Sequence, residues 1–417
     1  MDTFVEKPDH DHDHPSASGE EGDLTHEPSP QPIERVPTYL QPAMPIKERL
    51  RHFTFAWYTL TMSTAGIGLV LGATPNRFKG LDVIGLIVFI FALFMFMLIS
   101  TLLICRFILF KNTFRRCFTH PREALLVPTF FLSIASLLSG AEHWGSVFLN
   151  DHKFAGLCRF LRVMYWIYLG CTFLFSIIAY TILFTRKEEI RLKAPAMTPA
   201  WILPIFPVML AGTISAAITT TQTPGSALGV IASGTAAQGL GFLVSTFLYA
   251  TYINRLMIYG LPEHRPAMFI AVGPPSFTCA ALIAMANDLP RIFESDLAFV
   301  KSFTYPGPVA EATRIAAIYL SLFLWGLSFW FFTIALVALP GMPDKKFHLS
   351  WWTFVFPNVG FTVSTIRVGT VMDSAGLRMF STVLSLIIVM VWMFVGLRCF
   401  YAVWKREIIW PGHDEDS

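Results

Sequence analysis

Val83-Ile-Gly-Leu-Ile-Val-Phe-Ile-Phe-Ala-Leu-Phe-Met-Phe-Met-Leu-Ile-Ser-Thr-Leu-Leu-Ile-Cys105 carries no charge between Asp82 and Arg106. About 20 consecutive apolar residues cross a bilayer as an α-helix, and a buried helix of a soluble protein is normally shorter. The run is continuous rather than alternating, which excludes a transmembrane β-barrel strand. Lipid offers backbone polar groups no partner, so such a run is expected to be helical.

Working outward, similar runs recur on both sides. They predict ten spans, at 53–74, 82–110, 125–148, 161–185, 200–221, 226–252, 267–287, 313–339, 350–371 and 377–404. The 417-residue chain is 54% hydrophobic and only 14% charged. Soluble domains carry about 25% charge, so this chain cannot cover a soluble surface. Segments sharing a side with the N-terminus hold nineteen Lys and Arg, and the opposite segments hold ten. Positive charge marks the cytoplasmic side, so both termini are expected there. The expected domains are a disordered cytoplasmic tail at 1–46, a transport domain at 47–406 and a short cytoplasmic tail at 407–417.

The net charge of +3, with no long basic run, argues against nucleic acid. Asp9-His-Asp-His-Asp-His14 can bind metal in principle, but a solvated tail is the preferred reading and no metal is expected. The six cysteines show no CxxC spacing and read as packing residues. Gly66-Ile-Gly68-Leu-Val-Leu-Gly72 has the wrong spacing for a dinucleotide loop, and Gly68 and Gly72 suit close helix packing. No HExxH, Walker loop or GxSxG is present, so neither an enzyme nor a cofactor is expected.

The spans differ by parity. Pro128, Pro204, Pro207, Pro274, Pro275 and Pro357 all fall in odd-numbered spans and none in even ones. Proline inside a helix removes a hydrogen bond and bends the axis, which a membrane tolerates where the freed groups face protein or water. The partition predicts a kinked inner ring of odd helices, an outer belt of even ones, and five helical hairpins around a central pore. The sixth span, with Gly229, Gly234, Gly239, Gly241 and Gln238, is expected to pack closely on an inner neighbour.

Candidate pore residues are Arg77, Ser139, Thr213, Gln238, Ser276, Phe356, Asn358, Phe361 and Arg367. An arginine offers a carboxylate a bidentate fork, so Arg77 and Arg367 are anion contacts or interfacial anchors. Hydroxyl and amide groups can replace an anion's hydration without fixed charge. Glu142 and His143 are proton acceptors or a plain helix-end pair. Phe356 precedes Pro357 at an expected bend, and is either a hydrophobic constriction or core.

Several blocks carry a family resemblance: Glu48-Arg-Leu-Arg-His-Phe-Thr54, Pro199-Ala-Trp-Ile-Leu-Pro-Ile-Phe-Pro207, Gln238-Gly-Leu-Gly-Phe242, Arg265-Pro-Ala-Met-Phe269 with Val272-Gly-Pro-Pro275, Phe356-Pro-Asn-Val-Gly-Phe361 and Pro411-Gly-His-Asp-Glu-Asp416. Together they resemble the fungal malic acid, or C4-dicarboxylate, transporters of the tellurite-resistance/dicarboxylate transporter family, related to guard-cell slow anion channels and sulfite efflux pumps. The resemblance implies a ten-helix fold with a central pore, occluded by a phenylalanine matching Phe356, with Phe361 as the alternative. It implies small dicarboxylate anions as cargo, malate first, with sulfite or another small anion as the other reading. It also implies a plasma-membrane location and a homo-oligomer, dimer or trimer.

Overall fold

The computed structural model describes residues 45–188, 191–343 and 346–408. The expectations for the His-rich tract and for 411–416 lie outside these residues. The described residues are helical throughout, with no strand among them. In chain order the helices are α1 (Ile46–Arg51), α2 (Tyr58–Ala73), α3 (Leu81–Leu109), α4 (Thr113–Thr119), α5 (Pro121–Leu126), α6 (Pro128–Phe148), α7 (Asp151–Phe184), α8 (Phe206–Ile218), α9 (Pro224–Tyr259), α10 (Gly273–Phe293), α11 (Ala298–Lys301), α12 (Pro306–Ala338), α13 (Phe356–Val371) and α14 (Ala375–Trp404).

Among the described residues, eight helices are long and apolar enough to cross a membrane. The expected fifth and ninth spans do not reach that length as single helices. Their α-helical parts are Phe206–Thr221, with its last turn wound as 3-10, and Phe356–Val371. Each follows a 3-10 stretch, Pro199–Ile202 or Leu349–Phe354. The same device precedes α2 and α10, as Phe55–Trp57 and Arg265–Val272.

Proline explains the breaks before α6, α8, α10 and α13, and it corrects the expectation of kinked helices. Pro128, Pro207, Pro274 and Pro357 occupy the first two positions of α6, α8, α10 and α13, and Pro275 the third of α10. At a helix start the missing N–H costs nothing and the fixed φ is already helical. These prolines therefore begin new helices partway along a span rather than bending existing ones. Two even helices, α9 and α12, also begin with proline, Pro224 and Pro306, just outside the expected spans. Proline partway along a span remains a property of the odd set.

A broken helix frees carbonyls that lipid cannot satisfy. Hydroxyls from neighbouring helices reach them instead. Thr129 donates to the Phe55 carbonyl at 2.8 Å, Ser63 to Trp352 at 3.3 Å, and Thr353 to Pro266 at 2.6 Å. Tyr180 donates to Trp201 at 3.1 Å and Tyr249 to Ala271 at 2.8 Å. The breaks are thus held by side chains spread across the sequence.

Burial divides the long helices sharply. The apolar windows containing α2, α6 and α10 are 78%, 67% and 89% buried, while those of α3, α7, α9, α12 and α14 are between 17% and 39% buried. α9 packs tightly on α8 through glycine, as expected of the sixth span. A Cβ on Gly212 would sit 2.7 Å from the Gly234 carbonyl oxygen, and one on Gly241 would sit 2.9 Å from Met209 Cα. At the end of α3, Arg106 and Glu123 form a buried ion pair at 2.9 Å. The Cys117 thiol donates to Glu123 at 2.9 Å, and burial together with that carboxylate pushes its pKa up. Cys117 is therefore a polar partner rather than the packing residue expected.

Candidate functional site within the inner helices

The five helices that follow the breaks pack in a closed circuit: α2 on α6, α6 on α8, α8 on α10, α10 on α13, and α13 back on α2. The exposed helices lie outside this circuit, α3 against α2, α9 against α8, α12 against α10 and α14 against α13. α7 spans α6 and α8.

Three phenylalanines from consecutive members of the circuit meet at the breaks. Phe356 opens α13 and stacks on Phe277 of α10 with centroids 5.2 Å apart. Phe206 opens α8 and meets both edge-on, 6.2 Å from Phe356 and 5.9 Å from Phe277. Glycines seat the rings. A Cβ on Gly273 would lie 2.8 Å from Phe206 Cζ, and one on Gly360 would lie 2.7 Å from Phe277 Cε2. Phe206 and Phe277 were not among the sequence candidates. A signal for one was present, because Phe206-Pro207 repeats Phe356-Pro357 at the start of another inner helix.

Phe361 lies elsewhere. Its ring stacks on Phe332 at 5.1 Å, Phe329 at 6.2 Å and Trp325 at 6.4 Å, all on α12. Five residues beyond Phe356 on a 3.6-residue helix is about 140° around the axis, enough to turn the ring to the outer layer.

The polar candidates divide the same way. Ser276 donates to the Val272 carbonyl at 2.7 Å and meets Ser328 of α12 at 2.9 Å, so it faces outward. Gln238 bridges three helices. Its amide nitrogen, turned toward the Met209 carbonyl at 2.7 Å, leaves its oxygen to Thr278 at 2.8 Å. Both are structural ties. In contrast, Ser139 of α6, Thr213 of α8 and the Asn358 side-chain oxygen of α13 are buried with no hydrogen-bond partner, as is Thr61 of α2. Four unpartnered oxygens on four inner helices are notable, since buried polar groups are nearly always bonded.

Arg77 follows α2 and is committed. It pairs with Asp82 and donates to the Leu71 and Gly72 carbonyls, closing the end of α2. Arg367 on α13 is different. It is part-buried among protein atoms, and among the described residues it makes no hydrogen bond or contact ion pair. His143, next to Glu142, packs its ring against Gly72 of α2. The inner helices thus hold a three-ring aromatic cluster, an unpartnered arginine and a set of unpartnered oxygens. Chemically this suits an anion that sheds its water: one fixed positive charge, and hydroxyls free to donate.

Comparison with known proteins adds the lineage. Residues 52–400 match the family profile described as SLAC1, voltage-dependent anion channel. A malic acid transport protein of Schizosaccharomyces pombe is 33% identical over 386 residues, covering 90% of this chain and 84% of that one. A sulfite efflux pump of Trichophyton rubrum is 23% identical over 373 residues, covering 86% of this chain and 93% of that one. An uncharacterized transporter of Methanocaldococcus jannaschii is 23% identical over 326 residues, covering 76% and 84%.

Proposed function

Because the chain belongs to the SLAC1 voltage-dependent anion channel family, we propose that it carries C4-dicarboxylates such as malate through a central path between its inner helices. The transport domain of this proposal is 47–406, with ten membrane-crossing segments arranged as five helical hairpins. α8 and α13 complete their crossings with the 3-10 stretches before them. The flanking segments, 1–46 and 407–417, are cytoplasmic tails. The membrane is the plasma membrane, with both termini inside, and the assembly is a homo-oligomer.

The observation that carries the proposal is Arg367. An ionised side chain in a membrane helix is costly and marks a substrate path unless it is paired. Here it has no contact partner, and a substrate carboxylate supplies one. Thr61, Ser139 and Thr213 line the path and donate their hydroxyls to anion or water, and the Asn358 side-chain oxygen accepts from water. The ring of Phe356 closes the path, with Phe206 and Phe277 completing the hydrophobic constriction. Arg77 stands at the rim. Malate is favoured over sulfite because the malic acid relative is the more similar over comparable coverage. Sulfite is the second reading, favoured by sulfite pumps that match along nearly their whole length.

Radiolabelled malate uptake into proteoliposomes tests the proposal, with succinate, sulfite and nitrate as competitors. Saturable uptake is expected, with succinate competing more strongly than sulfite. Uptake no faster than in empty vesicles refutes transport of malate, and stronger competition by sulfite transfers the function to the second reading. In intact cells of the same expression host, a tag after Ser417 should stay unlabelled from outside.

A further inference from the structure

His264 and His348 occupy equivalent places in two different spans. His264 directly precedes the 3-10 stretch Arg265–Val272, which leads into α10, and His348 directly precedes Leu349–Phe354, which leads into α13. Their rings meet edge-on, with centroids 5.4 Å apart and planes at 73°. His264 is exposed and His348 half-buried. Among the described residues the His264 side chain makes no hydrogen bond or ion pair, so its ring nitrogens are uncommitted.

The spacing is that of two ligands on one ion. Zinc holds imidazole nitrogens at about 2.0–2.1 Å in a tetrahedral shell, which puts the centroids of two imidazoles roughly 5 Å apart. A half-turn of either ring about its last torsion exchanges carbon and nitrogen edges and leaves the centroid nearly in place. Each ring can therefore present a nitrogen to a shared ion. A plain edge-on contact between rings has the same spacing without an ion, and the experiment below separates the two. No third His, Cys, Asp or Glu joins the pair among the described residues, so water fills the remaining positions and the ion is exchangeable. Of the charged neighbours in sequence, Glu263 is exposed and makes no ion pair among the described residues, Arg265 donates to the Ala338 carbonyl at the end of α12, and Lys346 is exposed.

The stretches behind the two histidines are already tied to each other. Thr353 donates to the Pro266 carbonyl at 2.6 Å, and the rings of Phe269 and Phe354 meet at 5.5 Å. Both stretches run directly into the helices whose rings, Phe277 and Phe356, stack on each other.

We propose that His264 and His348 form a two-histidine site for a transition-metal ion of the zinc class, and that the bound ion clamps the starts of α10 and α13 together and slows transport. Imidazole suits zinc, copper and nickel, whereas calcium and magnesium take oxygen ligands. The clamp rests on the reading of the inner circuit as the transport path, and the site itself does not.

The test is zinc binding by the whole chain, purified without a polyhistidine tag and read by isothermal titration calorimetry, together with malate uptake at rising zinc. His10, His12 and His14 are replaced by alanine throughout, because Asp9–His14 is a second candidate binder. On that background zinc should bind, and calcium and magnesium should not compete. His264→Ala and His348→Ala should each weaken binding at least about tenfold, since loss of an outer-shell partner alone costs about 10–100-fold. His264 is exposed, so His264→Ala should keep the folded yield of the background. Zinc should slow malate uptake on the background and leave uptake by His264→Ala unchanged. No zinc binding on the background, or binding unchanged in folded His264→Ala, overturns the site. Binding that depends on His264 while zinc leaves uptake unchanged overturns the clamp. If the background takes up no malate even without zinc, the dicarboxylate reading fails, and calorimetry alone decides the site.

Discussion

Phe356→Ala should open the path while leaving most of the protein folded. Removing a phenyl ring from a sealed core costs ~3–5 kcal/mol, because the cavity stays empty. Phe356 is buried, at 2% exposure, yet its partners Phe206 and Phe277 are rings from two other inner helices. If the three rings plug an aqueous path, water enters the gap and the cost is smaller. Nitrate leak and malate efflux should therefore rise, with folded yield close to the parent. Phe361→Ala is the matched control. Phe361 packs against Trp325, Phe329 and Phe332 between helices, so its loss should cost about 3–5 kcal/mol, lower the folded yield and produce no leak. Folded yield by size-exclusion chromatography and leak from loaded vesicles are read side by side. Low yield without leak in Phe356→Ala would make that residue core.

Arg367→Gln should weaken malate transport through affinity. A hydrogen bond to a charged group contributes roughly 1.5–3 kcal/mol, so KM should rise about tenfold or more. Arg367→Lys should recover only part of this, because a point ammonium cannot reproduce the guanidinium fork. Arg77→Gln should have a much smaller effect on KM. Arg77 is already engaged by Asp82 and by the carbonyls that end α2, and it is partly exposed to solvent that screens its charge. Concentration dependence of uptake separates the two arginines. An unchanged KM in Arg367→Gln, or a larger change in Arg77→Gln, would move the anion contact to the rim.

Much of the architecture was legible in the chain, and the reason is the bilayer. A solvent that satisfies no backbone group forces long apolar runs to be helices, so their positions follow from composition. The two layers were visible through Pro128, Pro207, Pro274 and Pro357, because only spans sheltered from lipid tolerate a broken backbone. The form of the break was not visible. Proline at a helix start and proline in a helix interior read alike in sequence, and the hydroxyls that stabilise the breaks come from distant segments, as Tyr249 does for Ala271.

The site was legible by residue type and illegible by direction. Ser139, Ser276, Thr213 and Gln238 all lie in inner helices or against them. Whether each points to the interior or to a neighbour depends on rotation about the helix axis, which apolar runs on both faces do not fix. Ser276 turns to Ser328, Gln238 turns to Thr278, and Ser139 and Thr213 are left without partners. The same loss of phase put Phe361 beside Phe356 as a candidate when the two rings face different layers.

The central claim is that anions cross inside the circuit of α2, α6, α8, α10 and α13. It is tested most directly by thiol accessibility. With the six native cysteines replaced by alanine, Ser139→Cys and Thr213→Cys each place one thiol at an unpartnered inner oxygen. Ser328→Cys places one between α10 and α12 as a control. A negatively charged, membrane-impermeant thiol reagent should modify the two inner thiols, block malate flux, and be slowed by malate, while the control stays unmodified. Inner thiols that do not react, or that react without changing flux, would contradict the path.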